Sequence, residues 1–152
     1  MTRIDATGDG PLPVTTANAP AAGGHYAQAI KHGGLAYISG QLPIEPDGTH
    51  RPEADFDDQA RLAIRNLLAV ALAAGSSVEN LLKVTVYIVG IENWPRFNAI
   101  YADLLGDVRP ARLCAPAVLR PRTHRGDRTR HRRRAARTRR DDLAARDRPA
   151  RG

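Results

Sequence analysis

The chain has 152 residues, enough for one domain of ordinary size and too few for a second independent core. Its formal charge of +7 is unevenly held: from Arg109 onward there are 16 Arg and 4 Asp with no Lys or Glu, a balance of +12, while residues 1–108 carry 7 basic and 12 acidic side chains, a balance of −5. The single cysteine, Cys114, excludes an intrachain disulfide and fits a reducing, cytoplasmic setting, and no stretch approaches the ~20 apolar residues of a membrane helix.

Residues 1–17 read as a flexible N-terminal arm, because Gly8, Gly10, Pro11 and Pro13 interrupt any helix and little there is apolar. Asp5 and Asp9 stand where a secretory leader would need an apolar run. Tyr26 to His32 and Leu35 to Gln41 flank Gly33-Gly34, a pair suited to the positive φ of a tight hairpin turn. In the second run Leu35, Tyr37 and Ser39 share one face, and Ala36 and Ile38 the other. Pro43, Pro46 and Asp47-Gly48 then supply turn chemistry.

Phe56 to Ala74 is predicted as a helix, with Ala60, Ile64, Leu67, Leu68, Ala71 and Ala74 recurring every three or four residues. Asp57 and Asp58 suit the positive end of its dipole, and Gly75 is placed to end it in a left-handed cap. Leu82 to Val89 alternates as a strand, with Val84, Val86 and Ile88 on one side. A second helix is expected from about Asn93 to Leu105, with Asn93 as N-cap, Pro95 in the first turn and Phe97, Ile100, Tyr101 and Leu104 inward. A helix lying between strands suggests a crossover, hence an α+β domain with a mixed sheet and both helices on one face.

Seven segments, in order and at matching spacing, resemble the reactive intermediate deaminase (Rid, or YjgF-like) family. They are Ala19-Pro20, Gly24 to Ala29, Tyr37 to Pro43, Asn66-Leu67-Leu68 with Ala74 to Ser77, Val84 to Tyr87, Phe97 to Tyr101, and Arg109-Pro110-Ala111-Arg112. The resemblance covers about residues 19–114 and sets the expected domain at 18–119. It implies a chorismate-mutase-like fold, a six-stranded mixed sheet backed by two helices, assembled as a homotrimer with ligand sites between subunits. It implies hydrolysis of 2-imino acids or their enamine tautomers, such as 2-iminobutanoate or 2-iminopropanoate, to 2-oxo acids and ammonia, without metal or cofactor. Arg112 is the expected catalytic residue: a guanidinium can meet both oxygens of the substrate carboxylate while staying charged. By the same resemblance Tyr26, Ser39, Gly40 and Asn98 line the pocket, and the Cys114 backbone helps hold the attacking water. His25 replaces the proline usual before that tyrosine. Cys114 has no evident histidine partner for nucleophilic work, and the five histidines show no metal spacing.

After Arg112 the family continues into two more strands, the last carrying a Gly-Ala-x-x-Glu segment whose glutamate positions water; here no glutamate follows Glu92. Permitted GC-rich codons for Thr123 to Arg134, read after dropping one base, give Leu-Thr-Gly-Ala-Ile-Glu-Leu-Asp-Ile-Ala-Ala, a strand of the missing kind. The codons are chosen among synonyms, so the match is one of compatibility. The expectation is a single-base slip between Leu113 and Arg122, with residues 120–152 an Arg-rich, disordered tail in place of the last strand. Two alternatives stand beside the enzyme: a non-catalytic ligand-binding or regulatory module, and nucleic-acid binding by the basic tail. The tail lacks interleaved aromatics, which counts against the latter.

Overall fold

A computed structural model of the chain describes residues 10–117. The Arg-rich tail from 120 on, like residues 1–9 of the arm, lies outside the described residues, and the span expected to hold the slip, Leu113 to Arg122, lies partly outside them. The order is β1 (Leu12–Val14), β2 (Ala29–His32), β3 (Leu35–Ile38), α1 (Phe56–Ala73), β4 (Lys83–Ile88), α2 (Trp94–Leu105) and β5 (Ala111–Pro116), with one-turn 3-10 segments before β4 and α2. This is the expected α+β, chorismate-mutase-like arrangement.

β1, β2 and β3 form an antiparallel sheet, and Gly33 and Gly34 take the two left-handed positions of the β2–β3 turn, at φ 57° and 75°. The loose arm expected over 1–17 does not hold for residues 12–14. Leu12 to Val14 pair with Lys31 to Ala29, and Pro13 is tolerated because β1 is an edge strand. β4 and β5 form a separate parallel pair joined through α2, the crossover that parallel strands require. The described residues therefore hold five strands in two sheets where the resemblance implied six strands in one.

α1 spans both sheets. Its first half places Ala60 and Ile64 in a cluster with Ile88 of β4 and Phe97, Ile100, Tyr101 and Leu105 of α2, while Val84 and Val86 pack beneath. Its second half places Val70 and Ala74 against Val14, Ala19, Ala29, Ala36 and Ile38. Asp55 caps its start by accepting from the Asp58 N–H at 2.9 Å. Its end closes as the glycine suggests: Gly75 at φ 79° donates to Leu72 O at 2.9 Å, and Ser76 donates to Ala71 O at 3.0 Å. The stripe differs in detail, since Asn66 and Val70 are buried and Leu67 and Leu68 only half-buried. Asn93 precedes α2 without capping it by its side chain, which instead donates to Val89 O at 3.4 Å.

Two buried amides hold the loops that frame the sheets. Gln28 Oε1 accepts from the Thr16 N–H at 2.6 Å, and its Nε2 donates to Pro20 O at 2.8 Å. Asn66 Nδ2 donates to Leu42 O at 3.0 Å and Ile44 O at 2.8 Å, fastening the loop after β3 to α1. With both helices on one face, Tyr37, Tyr87 and Leu113 point away from them and are 59%, 71% and 53% exposed. No described helix is long and apolar enough to cross a membrane.

Candidate functional site

Arg112 sits in the second position of β5, opposite Val84 in the parallel register. Alternation along β5 turns Arg112 and Cys114 toward the helices and leaves Ala111 and Leu113 outward. The partner surface is one face of α2, where Trp94, Asn98 and Tyr101 follow at intervals of four and three residues. Arg112 Nη2 donates to Asn98 Oδ1 at 2.6 Å, and Arg112 Cζ lies 4.6 Å from the ring centroids of both Trp94 and Tyr101. Among the described residues no carboxylate forms an ion pair with Arg112.

Of the predicted site residues, then, Arg112, Asn98 and Cys114 come together at the β5–α2 seam. Burial pushes the Cys114 thiol above its ordinary value, and nearby Arg112 only partly offsets this. Burial likewise raises Tyr101, again against the pull of Arg112. The Tyr101 ring is buried, and its hydroxyl has no hydrogen-bond partner among the described residues.

Tyr26, Ser39 and Gly40 gather elsewhere, beside the start of β2 and the end of β3. Ser39 Oγ donates to Ala27 O at 2.7 Å, and the Ser39 N–H donates to Gln28 O at 3.0 Å. Tyr26 curls over its own loop: its hydroxyl accepts from the Gly23 N–H at 3.1 Å, and its ring leaves so little room that a Cβ on Gly24 would meet Cε1 at 3.2 Å. The ring remains 54% exposed. Among the described residues no hydrogen bond or ion pair links this group to Arg112. One chain thus presents two separate clusters, a cationic one on β5 and α2 and a hydroxyl-bearing one at the β2–β3 sheet.

Sequence reading missed the aromatic pair around Arg112. In the sequence Trp94 has no assigned role, and Tyr101 reads only as core. The available signal was the spacing of Trp94, Asn98 and Tyr101 along one helical face.

The described residues form an α+β domain with an arginine held at a strand–helix seam, its guanidinium bonded to a neutral amide oxygen. Comparisons with known proteins identify the family. The family model described as endoribonuclease L-PSP matches residues 16–124. A RutC family protein of Pyrococcus horikoshii is 37% identical over 109 residues, 72% of this chain and 86% of that protein. TdcF of Escherichia coli, named as a candidate reactive intermediate deaminase, is 34% identical over 112 residues, covering 72% of this chain and 86% of its own length. The crystal structure of E. coli TdcF with bound serine superposes with a TM-score of 0.68 at 33% identity, covering 73% of this chain and 89% of that one. YyfA of Yersinia pestis, of the Rid protein family, superposes at 0.69 with 38% identity, covering 74% and 90%. This chain belongs to the endoribonuclease L-PSP family, that of the Rid (YjgF-like) proteins.

Proposed function

We propose that this chain is a reactive-intermediate deaminase that binds 2-imino acids, such as 2-iminobutanoate or 2-iminopropanoate, through Arg112 and hydrolyses them in the cytoplasm. The observation that carries the proposal is the Arg112 guanidinium, fastened to Asn98 at 2.6 Å, with no carboxylate neighbour among the described residues. A fixed fork of N–H donors fits a planar carboxylate. The serine in the TdcF structure is an α-amino acid, the saturated counterpart of such a substrate.

In the proposed reaction the carboxylate docks on Arg112, which holds the neighbouring C=N carbon for water. The water oxygen bonds to that carbon and the π electrons move to nitrogen. One proton passes from oxygen to nitrogen to give the carbinolamine; its hydroxyl proton then follows to nitrogen as the C–N bond breaks and the C=O forms, and a 2-oxo acid and ammonia leave. Orientation supplies much of what so easy a hydrolysis needs.

The two clusters of one chain suit a site completed by a neighbour. The exposed Tyr37, Tyr87 and Leu113 on the uncovered sheet face support self-association, and a homotrimer is the assembly we propose. Tyr26, Ser39 and Gly40 of one subunit would then face Arg112, Asn98 and the Cys114 backbone of the next. The slip after Leu113 belongs to the same proposal, since it would remove the glutamate that positions water; genomic sequence across codons 108–152 that is intact in this frame would end it.

A binding-only module is favoured by one observation. The only side-chain hydrogen bond of Arg112 among the described residues is to the neutral Asn98 amide, a pairing that serves ligand binding without chemistry. The deciding experiment follows 2-iminobutanoate, generated in situ, and the ammonia released from it. Acceleration proportional to added protein supports the enzyme; an unchanged rate with saturable binding of 2-oxobutanoate leaves the binding module.

A further inference from the structure

We propose that Trp94 is a positioning residue for Arg112: with Tyr101 it covers the two faces of the guanidinium, so that only the N–H rim is offered, and that rim selects a ligand carboxylate presented edge-on. The inference rests on the reading of Arg112 as the carboxylate clamp. Trp94 and Tyr101 are seven residues apart on α2, about 10.5 Å of axial rise. Arg112 Cζ lies over both rings at the same 4.6 Å, consistent with one ring on each face of the guanidinium. Asn98, midway along the same face, accepts from Nη2 and fixes rotation within that slot.

An arginine on an edge strand would otherwise sample many rotamers. Here three side chains of one helix restrict it, each in a different way: two by stacking on the cation and one by a directed hydrogen bond. With both faces occupied, a ligand cannot stack on the guanidinium and must meet its edge. That geometry favours the planar, two-oxygen fork of a carboxylate over neutral or monodentate groups. The competing account makes Trp94 a plain cover for the core cluster, against which it also packs, with its ring 6.3 Å from Phe97. The two accounts differ in what ligand binding should feel.

Trp94 is the only tryptophan in the chain, so its emission reports this site alone. Titrating the soluble full chain, or its frame-restored form where the chain as written aggregates, with 2-oxobutanoate is expected to change that emission saturably, butanone (the same skeleton without the carboxylate) to change nothing, and Arg112→Ala to abolish the response. Calorimetry then compares variants: Trp94→Phe should bind 2-oxobutanoate within about two-fold of the unchanged chain, and Trp94→Leu on the order of 10-fold more weakly. If the chain turns over imine, the same loss should fall on KM with kcat nearly unchanged.

A folded Trp94→Leu that binds as tightly as the unchanged chain overturns the inference and leaves the clamp reading intact. Should Trp94→Leu fail to fold, the emission titration decides: a carboxylate-specific response supports the inference, and a silent Trp94 in a chain that calorimetry shows to bind overturns it. Binding without ammonia release sinks the deaminase and leaves Trp94's role standing. Absence of binding by the unchanged chain overturns both.

Discussion

The cation at Arg112 is held by a neutral oxygen, Asn98 Oδ1 at 2.6 Å, and that choice of partner leaves its charge available. Asn98→Asp should place a carboxylate at nearly the same point and neutralise the clamp from within. Binding of 2-oxobutanoate at pH 7 is expected to fall at least about 10-fold, as the new carboxylate competes with the ligand for the guanidinium. Calorimetry checks this, and unchanged affinity would mean that the ligand does not use this edge of Arg112. Cys114 beside it is expected to be sluggish. Its thiol is pushed above the ordinary 9.0 by burial, so at pH 7.5 the folded chain should react with a thiol reagent more slowly than the denatured chain. The sign for stability follows. The fold favours the neutral thiol and the neutral Tyr101 phenol, so their contribution is complete below pH 9.0 and is lost as pH climbs through the raised values.

At the scale of elements, the chain's regular pieces are set by periodicity and its irregular ones by buried amides. α1 begins at Phe56 and ends before Gly75 as its stripe and glycine foretell, and Val84, Val86 and Ile88 face the helices as alternation requires. β1 escaped notice because three residues containing Pro13 carry no pattern; only their ladder with β2 makes them a strand. β5 carries no apolar alternation of its own, since Arg112 and Cys114 turn inward and the partner strand lies across a helix; only the family resemblance implies a strand following Arg112. The same distance in sequence hid the aromatic clamp, for nothing local to Trp94 announces a cation arriving from β5. Arg112, Asn98, Tyr26, Ser39 and Gly40 were named through family resemblance; their separation into two clusters emerged only from the fold. Asn66 and Gln28 show the limit of hydropathy, since both are polar and nearly fully buried. Asn66→Ala would leave the Ile44 carbonyl without its amide partner, while the Leu42 carbonyl keeps the Ile44 N–H at 2.8 Å. A loss of about 1–3 kcal/mol in denaturant unfolding is expected, and a loss below a few tenths would show that water replaces the amide without cost.

For the whole molecule, Tyr37, Tyr87 and Leu113, exposed on the face away from the helices among the described residues, support the proposed self-association. A chain carrying the restored frame after Leu113 is expected to sediment as a trimer, and the 152-residue chain to express poorly or to aggregate. A monomeric restored chain would contradict the shared site, and a stable, active trimer of the chain as written would contradict the slip. The claim on which the account turns is that Arg112 grips the acid group of an imino acid. It is tested most directly by comparing kcat/KM for 2-iminobutanoate between the frame-restored protein and its Arg112→Ala variant, at matched oligomer size. The account predicts a loss on the order of 10²-fold, as expected when a charge-assisted clamp that orients the reacting carbon is removed. Turnover preserved within about two-fold would contradict it.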